Sequence, residues 1–207
     1  MGQLINGEWH DKWRDTEAKD GSFIRPDAKA RNWITTTGEP GPTGDGGFKA
    51  EAGRYHLYIA HSCPWAHRAI IFRALKGLED MISVSIVNPI SGDNGWTFAD
   101  GHGVVADPEL AADFLYQVYQ LSDPAYTGQV TVPMLWDKSQ KKVVSNESSE
   151  IARMFNSAFD AVGAIEGDYY PSELREEIDV INDLVYGAIN NGVYRVGFAI
   201  SQAAYEV

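Results

Sequence analysis

A strand running straight into a helix, with the chain's only cysteine at the joint, constrains this sequence more than any other stretch. In YHLYIAHSCPWAHRAIIFR, residues 55–73, Tyr55, Leu57, Ile59 and Ala60 form a short β-rich run. Ala66, Ala69, Ile70, Phe72, Arg73 and Leu75 continue with helical spacing, and no glycine intervenes before Gly77. Pro64 suits the first helical position, because the N–H it lacks would be unpaired there in any residue. Cys63 is therefore expected at the N-cap, facing free backbone N–H groups and the positive end of the helix dipole. Those donors, with Arg68 and the nearby histidines, favour the thiolate, so the sequence predicts a lowered pKa and a nucleophile at neutral pH.

A solitary cysteine is otherwise a small buried hydrophobe. Here the local pattern speaks for chemistry: in Cys63-Pro64-Trp65-Ala66 an alanine stands where a dithiol oxidoreductase has its second cysteine, so no internal disulfide can form. Any disulfide on Cys63 is to an outside thiol. That is monothiol chemistry, in which a small thiol such as glutathione forms a mixed disulfide and a second one resolves it. His56, His61 and His67 flank the cysteine, but strand alternation and helix phase send them in different directions. A closed zinc site needs four convergent ligands, so no metal is expected.

Further along, Ile82, Val84, Ile86 and Val87 predict a second strand, parallel to the first across the Cys63 helix. Residues 89–128 are a long excursion holding NGWTFADG and a helix at about Leu110 to Leu121. Val130 to Trp136 reads as a third strand interrupted by Pro133, which cannot donate to a ladder and so marks an edge, a bulge or a cis bond. Val143 to Ser145 is a fourth strand, and Glu147 and Ser148 open a helix with Ile151, Met154 and Phe155 on its apolar side. Asn146-Glu147-Ser148 is formally a glycosylation sequon, without meaning in a chain that is not secreted.

Residues 1–54 are polar, rich in Gly, Asp and Trp, and show no sustained period; Trp9, Trp13, Phe23 and Trp33 are expected to pin them onto a domain surface. The glycine-rich run from Gly38 to Gly47 lacks the G-K-[ST] ending of a phosphate loop and is read as a loop near the active site. After a linker at 160–170, Leu174, Ile178, Ile181, Leu184, Val185 and Ile189 give an amphipathic helix, and a second helical stretch runs from about Val193 to Val207. The change to helices alone predicts an extension at 1–54, an α/β domain at 55–160 and the start of a helical domain at 161–207.

At 207 residues, 44% of them hydrophobic, the chain can bury the cores of one or two domains. Its net charge of -12 speaks against nucleic acid or an anionic membrane as partner, while a helix N-terminus can still hold a carboxylate locally. MGQLINGEWH has no signal-peptide pattern, and no apolar run approaches the roughly 20 residues of a membrane helix, so the expected compartment is the reducing cytosol.

The CPWAHR run after a strand, with TVPMLW and SNESSEI downstream, resembles the glutathione transferase superfamily, and in particular its Xi class, the glutathionyl-hydroquinone reductases. NGEWHD, RNWI, GPTGDGGF, NGWTF, GDYYP and NNGVYR are further landmarks in the same order, so the resemblance covers the whole chain. It implies a thioredoxin-like α/β domain (βαβ, then ββα) and the beginning of an all-helical domain that relatives continue beyond residue 207. It places glutathione, as cosubstrate, along Trp96, Gln129, Val130, Val132 and a cis Pro133, the Val132 backbone pairing with the tripeptide as an added strand would. Glu147 is implied to meet the γ-glutamyl ammonium, and Ser148 with its helix N-terminus the carboxylate. Family members often carry Arg where this chain has Gln129, which leaves the holding of the glycyl carboxylate open. Tyr194, in NNGVYR, is implied as a proton donor.

The implied reaction is reduction of glutathionylated aromatic hydroquinones through a Cys63-glutathione disulfide, in the cytoplasm, by a full-length form that dimerises with itself. An Omega-like thioltransferase or dehydroascorbate reductase would use the same cysteine. A non-catalytic glutathione-fold interaction module is the third reading.

Overall fold

The computed structural model describes residues 2–11 and 20–206, which form two compact units. One is built from the described residues of Met1–Trp13 and Ala28–Asp168, the other from those of Arg14–Asp27 and Tyr169–Val207.

The first unit opens with strands in a segment that has no periodicity. β1 (Gln3–Ile5) and β2 (Glu8–His10) are an antiparallel hairpin closed by Asn6 and Gly7, at φ 48° and 79°. Asn-Gly at two successive positive φ angles is the turn that matches strand twist, so the signal lay in one dipeptide. β3 (Trp33–Thr35) pairs in parallel with β4 (Gly47–Lys49). β5 (Tyr55–Ile59) follows and is buried along its whole length. It leads into α1 (Pro64–Leu75) and returns as β6 (Ile82–Ile86), parallel to β5. After α2 (Leu115–Ser122) and the two-residue β7 (Gly128–Gln129), β8 (Met134–Asp137) and β9 (Lys142–Ser145) complete a sheet of order β6-β5-β8-β9, and α3 (Ser148–Ser157) packs on α1.

Alternation along β5 divides the interior. Tyr55, Leu57 and Ile59 enter a core with Ala66, Ala69, Ile151 and Phe155 of the two helices, while Tyr58 and Ala60 enter a second with Trp96, Leu115, Val118 and Trp136. The sheet is therefore covered on both faces, and Cys63 touches both cores at the C-terminal end of β5.

Three elements differ from the sequence reading. The helix expected at about Leu110 begins at Leu115, because Ala111 adopts φ 50° and the Gln117 side chain takes the N–H groups of Asp113 and Phe114, each at 2.9 Å. The third strand starts only at Met134: β7 pairs with β1 in another sheet, and Pro133 has no N–H for a ladder. The last helical stretch is broken; in the second unit α4 (Arg175–Val185) passes into a π-helical turn at Tyr186–Asn190, then α5 (Gly192–Gly197) and α6 (Gln202–Tyr205). There Ile200 N–H donates to Gly21 O at 3.1 Å instead of continuing a helix, and Ser201 caps α6 through Ala204 N–H.

Trp9 stacks on Tyr116 with centroids 4.9 Å apart, and Trp33 packs on the first core with its Nε1 donating to Thr43 Oγ1 at 2.7 Å. Phe23, expected to pin the extension to the domain, belongs to the second unit. Trp13 lies outside the described residues. Among the described residues no helix is long and apolar enough to cross a membrane.

Candidate active site

Cys63 is the N-cap of α1, with Pro64 following it and extended backbone at φ -99° and ψ 111°. Its carbonyl accepts the first helical bond from His67 N–H at 3.1 Å, and its own N–H closes the preceding turn onto Ala60 O at 3.1 Å. The thiol is half-buried and donates to Val132 O at 3.3 Å. Two influences oppose each other: the carbonyl favours the protonated thiol, and the helix N-terminus favours the thiolate.

The backbone running beside the sulfur is Val130–Pro133, with a cis bond between Val132 and Pro133. Val130, Val132 and Trp96 belong to the same core that Cys63 touches. Trp96 is held in the long excursion by backbone bonds: its carbonyl takes Leu115 N–H at 2.9 Å, and the Thr97 carbonyl takes Asn88 N–H at 2.8 Å. Although only 8% exposed, its indole N–H has no partner among the described residues. A buried donor without an acceptor costs roughly 1–3 kcal/mol, so this atom is ready for a ligand oxygen. Gln129 lies on β7, opposite Gln3 of β1, and its carbonyl accepts from Tyr126 Oη at 3.3 Å.

Glu147 is the N-cap of α3, its Oε1 accepting from Ser149 N–H at 3.0 Å and Ser149 Oγ at 2.8 Å. Ser148 follows, 3% exposed. Arg68 of α1 reaches both, donating to Ser148 Oγ and lying 3.4 Å from Glu147 Oε1. Cys63, Trp96, Val130, Val132, Pro133, Glu147 and Ser148 thus all belong to the first unit. Tyr194 belongs to the second, stacked on Phe23 and Phe198 with centroids 5.8 and 5.9 Å away and the Arg25 guanidinium 4.1 Å from its ring centre.

Sequence reasoning passed over several residues. Arg68 was read only as a source of potential beside the thiol; its bond to Ser148 requires knowing that α1 and α3 pack. Asn146 of the sequon is buried: its Nδ2 donates to Tyr119 Oη and Thr131 Oγ1, each at 3.2 Å, and its Oδ1 accepts from Ala30 N–H at 3.2 Å. The glycine-rich loop is tied by Thr43 to Glu150 at 2.7 Å, in the first turn of α3, where Arg31 also pairs with that carboxylate. His56 points into the interior between two serines, while His61 and His67 are exposed. Among the described residues no group of three or more His, Cys, Asp or Glu could hold a metal ion.

The family profile of the glutathione S-transferase N-terminal domain matches residues 62–158. Glutathionyl-hydroquinone reductase YqjG of Escherichia coli K12 is 58% identical over 207 residues, covering 100% of this chain and 63% of the relative. The corresponding reductase PcpF of Sphingobium chlorophenolicum is 57% identical over 206 residues, with the same coverage. The chain therefore spans 63% of the length of these curated relatives. Among solved structures, that of YqjG with glutathione bound superposes with a TM-score of 0.88 at 54% identity, over 99% of this chain and 61% of the other. The Xi-class glutathione transferase of Natrialba magadii gives a TM-score of 0.87 at 44% identity, over 100% and 62%. Residues 62–158 are thus a glutathione S-transferase N-terminal domain of thioredoxin-like fold, and the whole chain resembles the Xi-class glutathione transferases and the glutathionyl-hydroquinone reductases.

Proposed function

We propose that this chain carries the thiol half of a glutathionyl-hydroquinone reductase, with glutathione as cosubstrate and glutathionylated aromatic hydroquinones as substrates. The observation that carries the reading is the chain's only thiol at the N-terminus of α1, in contact with a core where the buried Trp96 N–H lacks an acceptor. Two relatives more than half identical over the whole chain bear the name of that activity, which supports the substrate class.

The Cys63 thiolate attacks the sulfur of the conjugate's glutathionyl group. An S–S bond forms, the bond from sulfur to the aromatic carbon breaks, and that carbon takes the electron pair together with a proton from Tyr194. The Cys63 sulfur and the thioether sulfur are thereby each oxidised by one electron, and the ring carbon is reduced by two. A second glutathione thiolate then attacks the mixed disulfide, releasing oxidised glutathione and restoring Cys63. Trp96, Gln129, Val130, Val132 and Pro133 line the tripeptide, with Glu147 and Ser148 at its γ-glutamyl end. The setting is the reducing cytoplasm, and the full-length form is a homodimer.

The Omega-like thioltransferase reading has one observation in its favour: the thiol and its proposed peptide-binding residues all lie in the first unit. Disulfide exchange needs no donor to carbon.

Incubation with glutathionyl-menadiol and glutathione, following hydroquinone release and the intact mass of the protein, tests both. Release with a one-glutathione adduct, both lost in Cys63→Ala, is the expected result. An adduct without release selects the thioltransferase reading, and neither in the unsubstituted protein removes both.

A further inference from the structure

Arg68 stands five residues after Cys63 on α1 and crosses to the start of α3. Its Nε and Nη2 donate to Ser148 Oγ at 2.9 and 2.7 Å, and Nη2 also reaches Glu147 Oε1 at 3.4 Å. The Trp65 ring supports the guanidinium, 5.0 Å from its Cζ.

A hydroxyl has two lone pairs and one proton. With guanidinium N–H groups on both lone pairs, Ser148 can act only as a donor, and its proton has no acceptor among the described residues although the residue is 3% exposed. Glu147 is biased in the opposite sense. Its Oε1 already accepts from Ser149 N–H, Ser149 Oγ and Arg68, so Oε2 is the oxygen left for a further donor.

We propose that Arg68 is a positioning residue that sets the polarity of this pair, making Ser148 present a donor and Glu147 an acceptor, the pattern that fits the carboxylate and ammonium of an amino-acid end. The inference rests on the glutathione reading above and adds to it the residue that selects the γ-glutamyl end. Because Arg68 and Cys63 share one helix, it also fixes the register between the sulfur and that end. Lysine would keep the charge but not the planar fork that fills both lone pairs.

Calorimetric titration with glutathione and with cysteinylglycine, a thiol without the γ-glutamyl end, tests this. Arg68→Met is expected to weaken glutathione binding by about tenfold or more, the loss of charge-assisted bonds, while changing cysteinylglycine binding by less than about twofold. Arg68→Lys should lose an intermediate part of the preference, and it carries the test should Met prevent folding. The pH profile of Cys63 alkylation by iodoacetamide should not move in Arg68→Lys, which keeps the charge. A preference for glutathione retained in both variants, equal weakening of the two thiols, or a displaced alkylation profile in Arg68→Lys would overturn the positioning role alone. Failure of the unsubstituted protein to bind glutathione would instead remove the glutathione reading, and the proposal with it.

Discussion

His56 shows how a single side chain can be polar, fully buried and still at ease. Its Nδ1 meets Ser83 Oγ at 2.7 Å and its Nε2 meets Ser85 Oγ at 2.9 Å. Ser85 Oγ donates onward to Ala106 O at 3.0 Å, so it accepts from Nε2–H. Burial pushes its pKa down to about 4 from 6.5, with the Asp107 charge opposing. In the interval between those values the unfolded chain binds the proton and the folded one does not, so stability falls as pH falls. The contribution is complete above the unfolded value and lost progressively toward pH 4, amounting to about 3 kcal/mol at most. His56→Gln, which cannot titrate, should show a flatter dependence of urea unfolding on pH from 6.5 down to 4 than the unsubstituted protein. An unchanged slope would place the acid sensitivity elsewhere.

Among the elements, α1 is the one whose two ends are both written in the sequence. Pro64 marks its start, and Gly77, at φ 61°, its end. Gly77 N–H bonds Ala74 O at 3.0 Å and Leu78 N–H bonds Arg73 O at 2.8 Å, the paired bonds of a Schellman cap. A methyl at Gly77 would stand 2.7 Å from the Ile165 side chain, besides the unfavourable φ. Gly77→Ala is therefore expected to lower stability by roughly 1–3 kcal/mol, read as a reduced urea midpoint at unchanged slope.

The strands β5 and β6 were equally legible, because YHLYI is rich in β-formers and ISVSI alternates apolar residues with serine. β1 to β4 were not: each has three residues, too few for a period, and Asn6-Gly7 was the one local cue. The start of α2 was misplaced because capping by Gln117 is a side-chain choice that apolar spacing does not encode. At the candidate site the N-cap position of the thiol was readable from Cys63-Pro64, whereas the bond from Arg68 to Ser148 joins residues 80 apart and exists only once two helices pack.

For the molecule as a whole, a chain that spans 63% of its curated relatives still assembles the thiol, the neighbouring Val132–Pro133 backbone and the Glu147–Ser148 pair within one unit. Its interior is anchored by buried charges as well as apolar groups. Lys76, fully buried, caps α1 and extends its Nζ to Asp160 Oδ1 at 2.9 Å and Gly167 O at 2.6 Å, fastening residues read as linker onto the first unit.

One sulfur atom at the N-cap of α1 also makes this protein a redox system with a single entrance. A sulfenic acid formed there by peroxide has no second thiol in the chain with which to condense. With glutathione present, peroxide treatment should end at a mixed disulfide that reductant reverses, and without it at a sulfinic acid that reductant leaves in place. Mass spectrometry of the intact chain before and after reduction separates the two. Oxidative survival is thus set by the thiol supply around the molecule.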